Sequence, residues 1–450
     1  MFEHPRRPAA GTFSKSGTTP VTLTLPTTAV RRLRMSLPLV TLAALAAGCG
    51  SRGAEHDLAS VGAITELSSP AGPGSRFPFL SLATDGRAYL SWLEVGADST
   101  PALKFAILPP GAREWSPPMT VVRGKDLLLN WADFPSVVPL ANGLTAAQWL
   151  VRDSRVRFAY GARVSVSADG GATWSRPATP HRDTTATEHG FVSLFAADSN
   201  VGAIWLDGRE MAGPDSARGI MELRTALLTR DGQVGSETVV DSLVCTCCRT
   251  SIAATSSGPV VAYRDREPDE LRNIAVARRV NGEWRGAGPV HDDGWRIPAC
   301  PVNGAAIAAR QDTVVTAWYT APENRPRVQV AFSTDQGTTF GPPLRVDEGK
   351  PVGRVGVVLE PTGSALVSWI EGRPDGAVLR LRRVTPGGEM GPPMTLVPSS
   401  TGRAASFPQI ALTANGLLVA WTEPGAEPRV RVARAELRRA ATGDGTSRGR

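Results

Sequence analysis

Four of the five cysteines fall in two short clusters, Cys245-Thr246-Cys247-Cys248 and Cys300. In an exported chain such a set forms two disulfides, here one between the clusters and one within the first, drawing on Cys245, Cys247, Cys248 and Cys300. The alternative chemistry is a soft-metal site for copper(I) or zinc, with His189 as an additional ligand. The disulfide reading needs no metal, and no cofactor is expected: the chain has no Ser/His/Asp order, phosphate-binding glycine loop or paired-His motif. His56, His181 and His291 lie in polar linkers and read as solvated loop residues.

The elements that must position these groups form a repeat. A strand ending in small and apolar residues before an aromatic recurs at Trp92, Trp149, Trp205, Tyr263, Trp318, Trp369 and Trp421, at intervals of 57, 56, 58, 55, 51 and 52. About fifteen residues upstream of each lies a second register: Phe77, Phe134, Phe191, Arg249, Asn303, Arg354 and Phe407. Strand, turn, aromatic strand, polar loop, third strand and Pro-led outer strand fit one unit of about 55 residues, the signature of propeller blades. The expected fold is all-β, a seven-bladed β-propeller of four-stranded blades, with six blades as the alternative count. Unit seven stops after its third strand, and the orphan strand Val61 to Leu67 is expected to complete it, removing an exposed edge.

In that architecture the inner-strand entries and the loops after each Trp share one face. The entries place Arg76, Asp133, Glu188, His189, Arg249, Asn303, Arg354 and Arg403 there, and the loops add Glu94, Asp207, Tyr319 and Glu371. Polar groups of both signs converging on an axis predict a ligand-binding face, for a glycan or an anionic small molecule.

The segments Ser167 to Trp174 (Ser-Ala-Asp-Gly-Gly-Ala-Thr-Trp) and Ser333 to Phe340 (Ser-Thr-Asp-Gln-Gly-Thr-Thr-Phe) share Ser-x-Asp-x-Gly-x-Thr-aromatic. This pattern resembles the Asp-box (BNR repeat) of sialidase-like β-propellers, and its chemistry suits a hairpin turn: Asp accepts local N–H groups and Gly supplies positive φ. Cys245 to Thr250, Tyr263 to Arg266, Gly294 to Ile297 and Cys300 to Gly304 together resemble a subgroup of bacterial sialidase-like propeller proteins, a resemblance that implies no particular reaction. The sialidase resemblance implies an arginine clamp on a carboxylate, which Arg76, Arg354 and Arg403 would supply. It also implies Asp133 as acid/base and a Tyr–Glu nucleophile, for which Tyr319 with Glu323 is the available pair. His189, Arg249 and Asn303 complete the expected binding set.

The N-terminus reads as an address. Arg31-Arg32-Leu33-Arg34 precedes an apolar run, Leu37 to Ala47, too short to span a membrane, and Leu45-Ala46-Ala47-Gly48-Cys49 resembles a bacterial lipobox with Cys49 as the lipidated residue. The expected organisation is a signal region over residues 1–48, a lipid-anchored tether over 49–60, the propeller over 61–437 and a disordered basic tail over 438–450. Residues 1–48 hold six Lys/Arg and one Asp/Glu, so 43 basic residues face 41 acidic ones in the remainder, and nucleic acid is not an expected partner. These readings together describe a monomeric cell-envelope lipoprotein, exported and anchored at the outer membrane or cell surface, that binds a glycan or anion. An exo-α-sialidase-type glycoside hydrolase is the alternative, and a metal-binding or protein-interaction scaffold the second.

Overall fold

The computed structural model describes residues 61–156, 158–211 and 219–437. The signal region with Cys49, the tether up to residue 60 and the tail 438–450 lie outside the described residues. The described chain forms seven antiparallel sheets, six with four strands and one with three. Each sheet packs against the next, and the last against the first, in all but one case innermost strand to innermost strand, so the fold is a seven-bladed β-propeller.

The ring is closed as the repeat demands. The last sheet contains Gln409–Thr413, Gly416–Glu423 and Arg429–Leu437, and its outer strand is Val61–Leu67, paired antiparallel to Arg429–Leu437. The first and last strands of the described chain thereby share one sheet. Further ties cross the seam: Ser69 Oγ donates to the Val430 carbonyl, the Val430 amide to Ser75 Oγ, and the Phe77 amide to Thr422 Oγ1. Blade 2 is the three-stranded one (Ser136–Pro139, Thr145–Val151, Gly161–Ser167). Its outer edge is reduced to a single bridge between Val164 and Ala178. Pro177 and Pro180 flank that bridge and have no N–H to extend the ladder.

The recurring tryptophans fill the interfaces between blades. Trp92, Trp205, Trp318 and Trp369 are fully buried, and each indole N–H reaches a carboxylate: Glu94 at 3.0 Å, Asp207 at 2.8 Å, Asp293 at 2.7 Å and Glu371 at 2.6 Å. In three of the four the acid stands two residues after the Trp, because strand side chains alternate and only i+2 returns to the same face. Sequence reasoning placed Glu94, Asp207 and Glu371 on a ligand-binding face. The structure commits them to indole N–H groups that would otherwise be buried without a partner.

The two copies of Ser-x-Asp-x-Gly-x-Thr-aromatic adopt one hydrogen-bond pattern. Gly171 and Gly337 amides donate to Ser167 and Ser333 Oγ, and Thr173 and Thr339 amides to Asp169 and Asp335 Oδ1. Hydrogen bonds from Thr173 hold the Asp169 carboxyl well below the usual range. Gly171 is at φ +98°, and a Cβ there would come within 2.4 Å of the Phe105 ring of blade 1. The motif thus seats its turn on the preceding blade, with Trp174 edge-on to Phe105 at 6.1 Å.

Trp205→Ala should remove both the volume and the N–H that meets Asp207. It is expected to cost about 3–5 kcal/mol in a urea titration, the range for truncating a buried aromatic, and a loss under about 1 kcal/mol would contradict this account of the interface.

Candidate functional site

All seven innermost strands line one axial cavity of about 290 Å³. Its wall carries Ser81, Ser136, Gln148, Ser193, Thr250, Ser251 and Gln409 among apolar residues such as Ile252, Ile307, Val357 and Ile410. Gln148 is buried, and its amide nitrogen donates to the Phe134 carbonyl at 3.0 Å and to Ser136 Oγ at 3.3 Å. Its carbonyl oxygen, Oε1, is buried with no partner.

At the entry end, rings from three blades converge: Phe77 with Phe134 at 6.4 Å, Phe134 with Phe407 at 6.1 Å, and Trp131 with Phe407 at 6.0 Å. Arg249 of blade 4 reaches across this cluster and lines the cavity. Its guanidinium lies 4.1 Å from the Phe134 centroid and 5.3 Å from that of Phe407. It makes no hydrogen bond or ion pair among the described residues. Burial pulls its pKa down to about 10, against the opposing field of Asp133, so it stays cationic at neutral pH. Arg249 is half-buried, and a cation on two phenyl faces gains about 0.5–2 kcal/mol from the rings.

The other expected site residues divide by what they touch. Arg354 is buried, and its guanidinium donates to the carbonyls of Thr401, Gly402 and Ser406 while resting 4.9 Å from the Trp131 ring. It holds the entry loop of blade 7. Arg403 is exposed in a short 3-10 turn and lies 5.8 Å from the same ring. Arg76 is half-buried with an unpartnered Nε, and burial lowers its pKa. Arg354 and Arg403 thus meet at Trp131, but no hydrogen bond or ring contact links Arg76 to them among the described residues. Tyr319 packs edge-on to Trp295 at 5.7 Å, while Glu323 is exposed and pairs with Arg325. The structure records no hydrogen bond between Tyr319 and Glu323.

Asp133 and Asn303 are parts of a repeated device. Phe77, Phe191, Val302, Arg354 and Ser406, at the inner-strand entries of five blades, have φ between 50° and 59°, left-handed values that bulky side chains seldom adopt. Three of these turned amides are received by a side chain of the preceding blade: Phe77 by Thr422, Phe191 by Asp133 Oδ2 at 2.9 Å and Arg354 by Asn303 Oδ1 at 2.8 Å. Asn303 also gives its amide N–H groups to the carbonyls of Pro301 and Val352. Its polar atoms therefore serve the joint between blades 5 and 6.

Asp133 has a second partner that sequence reasoning missed. The Tyr160 hydroxyl lies 3.2 Å from Asp133 Oδ2 and is hydrogen-bonded to Glu188. A phenol carries one proton, so it donates to one carboxyl and accepts from the other only if that one is protonated. Burial raises Asp133 to about 7 and Glu188 to about 8, with mutual repulsion adding to the Glu188 shift. The only sequence signal for Tyr160 was its place at the head of the strand Gly161–Ser167, beside an entry carrying Glu188. His189 is buried, stacks on His181 at 4.0 Å and bonds Asp183 at 2.9 Å. Neither His181 nor His189 is a solvated loop residue or close to the cysteines' sulfur cluster. Burial, with the neighbouring imidazole, lowers His181 to about 4.

Of the cysteines, Cys247 and Cys300 form a disulfide, joining the entries of blades 4 and 5. Cys245 and Cys248, the other expected pair, lie side by side as buried free thiols. Their Cys-x-x-Cys spacing is legible in the sequence and was the available signal for a pair.

No family model and no curated protein matches this chain. Among solved structures it is similar to a protein of unknown function from Dyadobacter fermentans, at 13% identity over 84% of this chain and 99% of that one, with a TM-score of 0.48. It is also similar to the NanB sialidase from Streptococcus pneumoniae (11%, 84% and 70%, 0.43) and to the α-L-arabinofuranosidase Arb93a from Fusarium graminearum (13%, 83% and 98%, 0.43). Similarity at this level assigns no activity to the chain, and the architecture rests on its own strand pairing.

A carboxyl whose folded pKa lies above its unfolded value near 4 binds more protons folded than unfolded. Its stabilising contribution is present at low pH and is lost as pH rises through the folded value. The melting temperature should therefore fall between about pH 4 and 8, up to the values of about 7 and 8 at Asp133 and Glu188. Glu188→Gln should flatten that slope, and an unchanged slope in both Glu188→Gln and Asp133→Asn would refute the assignment.

Proposed function

We propose that the axial cavity binds a small hydroxylated anion, an acidic monosaccharide being the ligand class that best fits. The observation that carries this reading is the Arg249 guanidinium, held on Phe134 and Phe407 without any hydrogen-bond or ion-pair partner where it lines the cavity. A carboxylate accepts the guanidinium's paired N–H groups, and ligand hydroxyls match the serine-rich wall and the unpartnered Gln148 oxygen. The cavity volume sets the size at about one sugar ring.

A second reading, hydrolysis of a sialoside, draws on the Tyr160–Glu188 hydrogen bond with Asp133 beside it, the residue types that the sialidase resemblance implies. Tyr160 and Asp133 are both buried, and the cavity wall contains neither of them nor Glu188, so binding is the better-supported function. Calorimetric titration with acidic and neutral monosaccharides should give binding for the acidic set alone, weakened at least tenfold, about 1.4 kcal/mol, in Arg249→Met. Equal affinity for both sets, or an unaffected variant, rejects the anion site. Turnover of a fluorogenic sialoside that Tyr160→Phe abolishes would establish the second reading.

We further propose that Cys49 is lipidated and anchors the protein to the cell envelope, on the strength of its lipobox context. Metabolic labelling with an alkyne fatty acid should mark the wild type and spare Cys49→Ser; label retained in the variant would dismiss the anchor.

A further inference from the structure

The four sulfurs at the entries of blades 4 and 5 are unequal in exposure. Cys245 and Cys248 are buried, Cys247 is half-buried and Cys300 is exposed. Cys245 Sγ lies 2.6 Å from Cys248 Sγ and 3.9 Å from Cys247 Sγ, and Cys247 is already bonded to Cys300. A buried thiol pair thus sits directly beneath a surface disulfide, with one sulfur of the pair within reach of it.

The surroundings favour a thiolate at Cys245. Arg264 is fully buried, and its guanidinium is fixed by the carbonyls of Asn303, Arg272 and Tyr319. Arg272 is buried too. Glu270 takes its Nε and Nη2, while Nη1 is buried with no hydrogen-bond partner. The charges of both arginines act on the Cys245 sulfur. Against burial, which raises it, the Cys248 thiol, the Cys247 amide and these two cations bring Cys245 down to about 6. Cys248 is held high by burial and by the neighbouring sulfur. One sulfur is set up as the nucleophile and the other as its proton-bearing partner.

We propose that the four cysteines form a thiol–disulfide relay, in which the buried Cys245/Cys248 pair exchanges two electrons with the exposed Cys247–Cys300 disulfide and thereby with an external disulfide or dithiol. In the first step the Cys245 thiolate attacks Cys247 Sγ. The Cys245–Cys247 bond forms, the Cys247–Cys300 bond breaks, and the electron pair leaves on Cys300, which takes up the proton released by Cys248. In the second step the Cys248 thiolate attacks Cys245 Sγ and expels Cys247 as a thiolate. The outcome is a buried Cys245–Cys248 disulfide and a surface dithiol, with no net oxidation. An external protein or small-molecule disulfide then accepts two electrons from Cys247 and Cys300, and an external dithiol runs the sequence backwards. Cys300 is the contact point because it alone of the four is exposed.

The relay is independent of the anion site and is tested on the full chain. The protein carrying one disulfide among these four cysteines is equilibrated at neutral pH, alkylated in acid denaturant, and its disulfides are mapped by peptide mass spectrometry. Both pairings, Cys247–Cys300 and Cys245–Cys248, are expected in one population. In Cys248→Ser the reaction should stop at a Cys245–Cys247 bond with Cys300 alkylated. Arg272→Met should slow the approach to equilibrium about tenfold, by raising the attacking thiol's pKa. Recovery of Cys247–Cys300 alone in both the wild type and Cys248→Ser overturns the proposal. So does a stoichiometric zinc or copper ion retained with four reduced cysteines, which would make the cluster a metal site.

Discussion

Closure of the ring is the constraint on which everything else in this molecule depends. A propeller blade has an inner edge facing the axis and an outer edge facing solvent, and an open ring would leave a seam with unpaired strands and exposed apolar faces. Here the seam is sealed by pairing Val61–Leu67 with Arg429–Leu437, reinforced by Ser69, Ser75 and Thr422. Only once the ring is shut do Phe77, Phe134 and Phe407, from blades 1, 2 and 7, meet over the axis and receive Arg249 from blade 4.

The dry joints between blades explain why so much of the polar inventory is structural. Four fully buried indoles find a carboxylate acceptor, and three of the five left-handed bulges at inner-strand entries turn an amide toward the preceding blade. Carboxylates and amides at the entries and after the tryptophans meet these needs: Glu94, Asp207 and Glu371 for indoles, Asp133 and Asn303 for bulge amides. Arg354 does the same in reverse, donating to the carbonyls of the blade 7 entry loop. Against that background Arg249 stands out by what it lacks. Arg354 spends its guanidinium on backbone carbonyls, whereas that of Arg249 rests on carbon and lines a cavity.

The blades were legible in the sequence because they are local. Strand alternation, turn residues and a Trp or Tyr every 51 to 58 residues are short-range signals, and repetition multiplies them. The site was legible only as a list of entry positions. Membership in that list did not distinguish Arg249, free at the cavity, from Arg354, clamped on three carbonyls, because the difference lies in contacts with loops more than 40 residues away. Tyr160 escaped notice for a similar reason: its partners, Asp133 and Glu188, come from two successive blade entries. The entry bulges carry Phe, Val, Arg and Ser at positive φ, where a sequence reader looks for glycine, and they decide which way each entry side chain points.

The chain by itself determined its blade count, the strand that closes the ring, and the aromatic and turn positions, since each follows from periods of two residues and of one blade. Tertiary structure alone decided which charges are neutralised by backbone, which cysteine bonds Cys300, and which cation lines the cavity without a partner among the described residues. Those outcomes depend on distances between side chains from different blades, and no spacing along the chain encodes them.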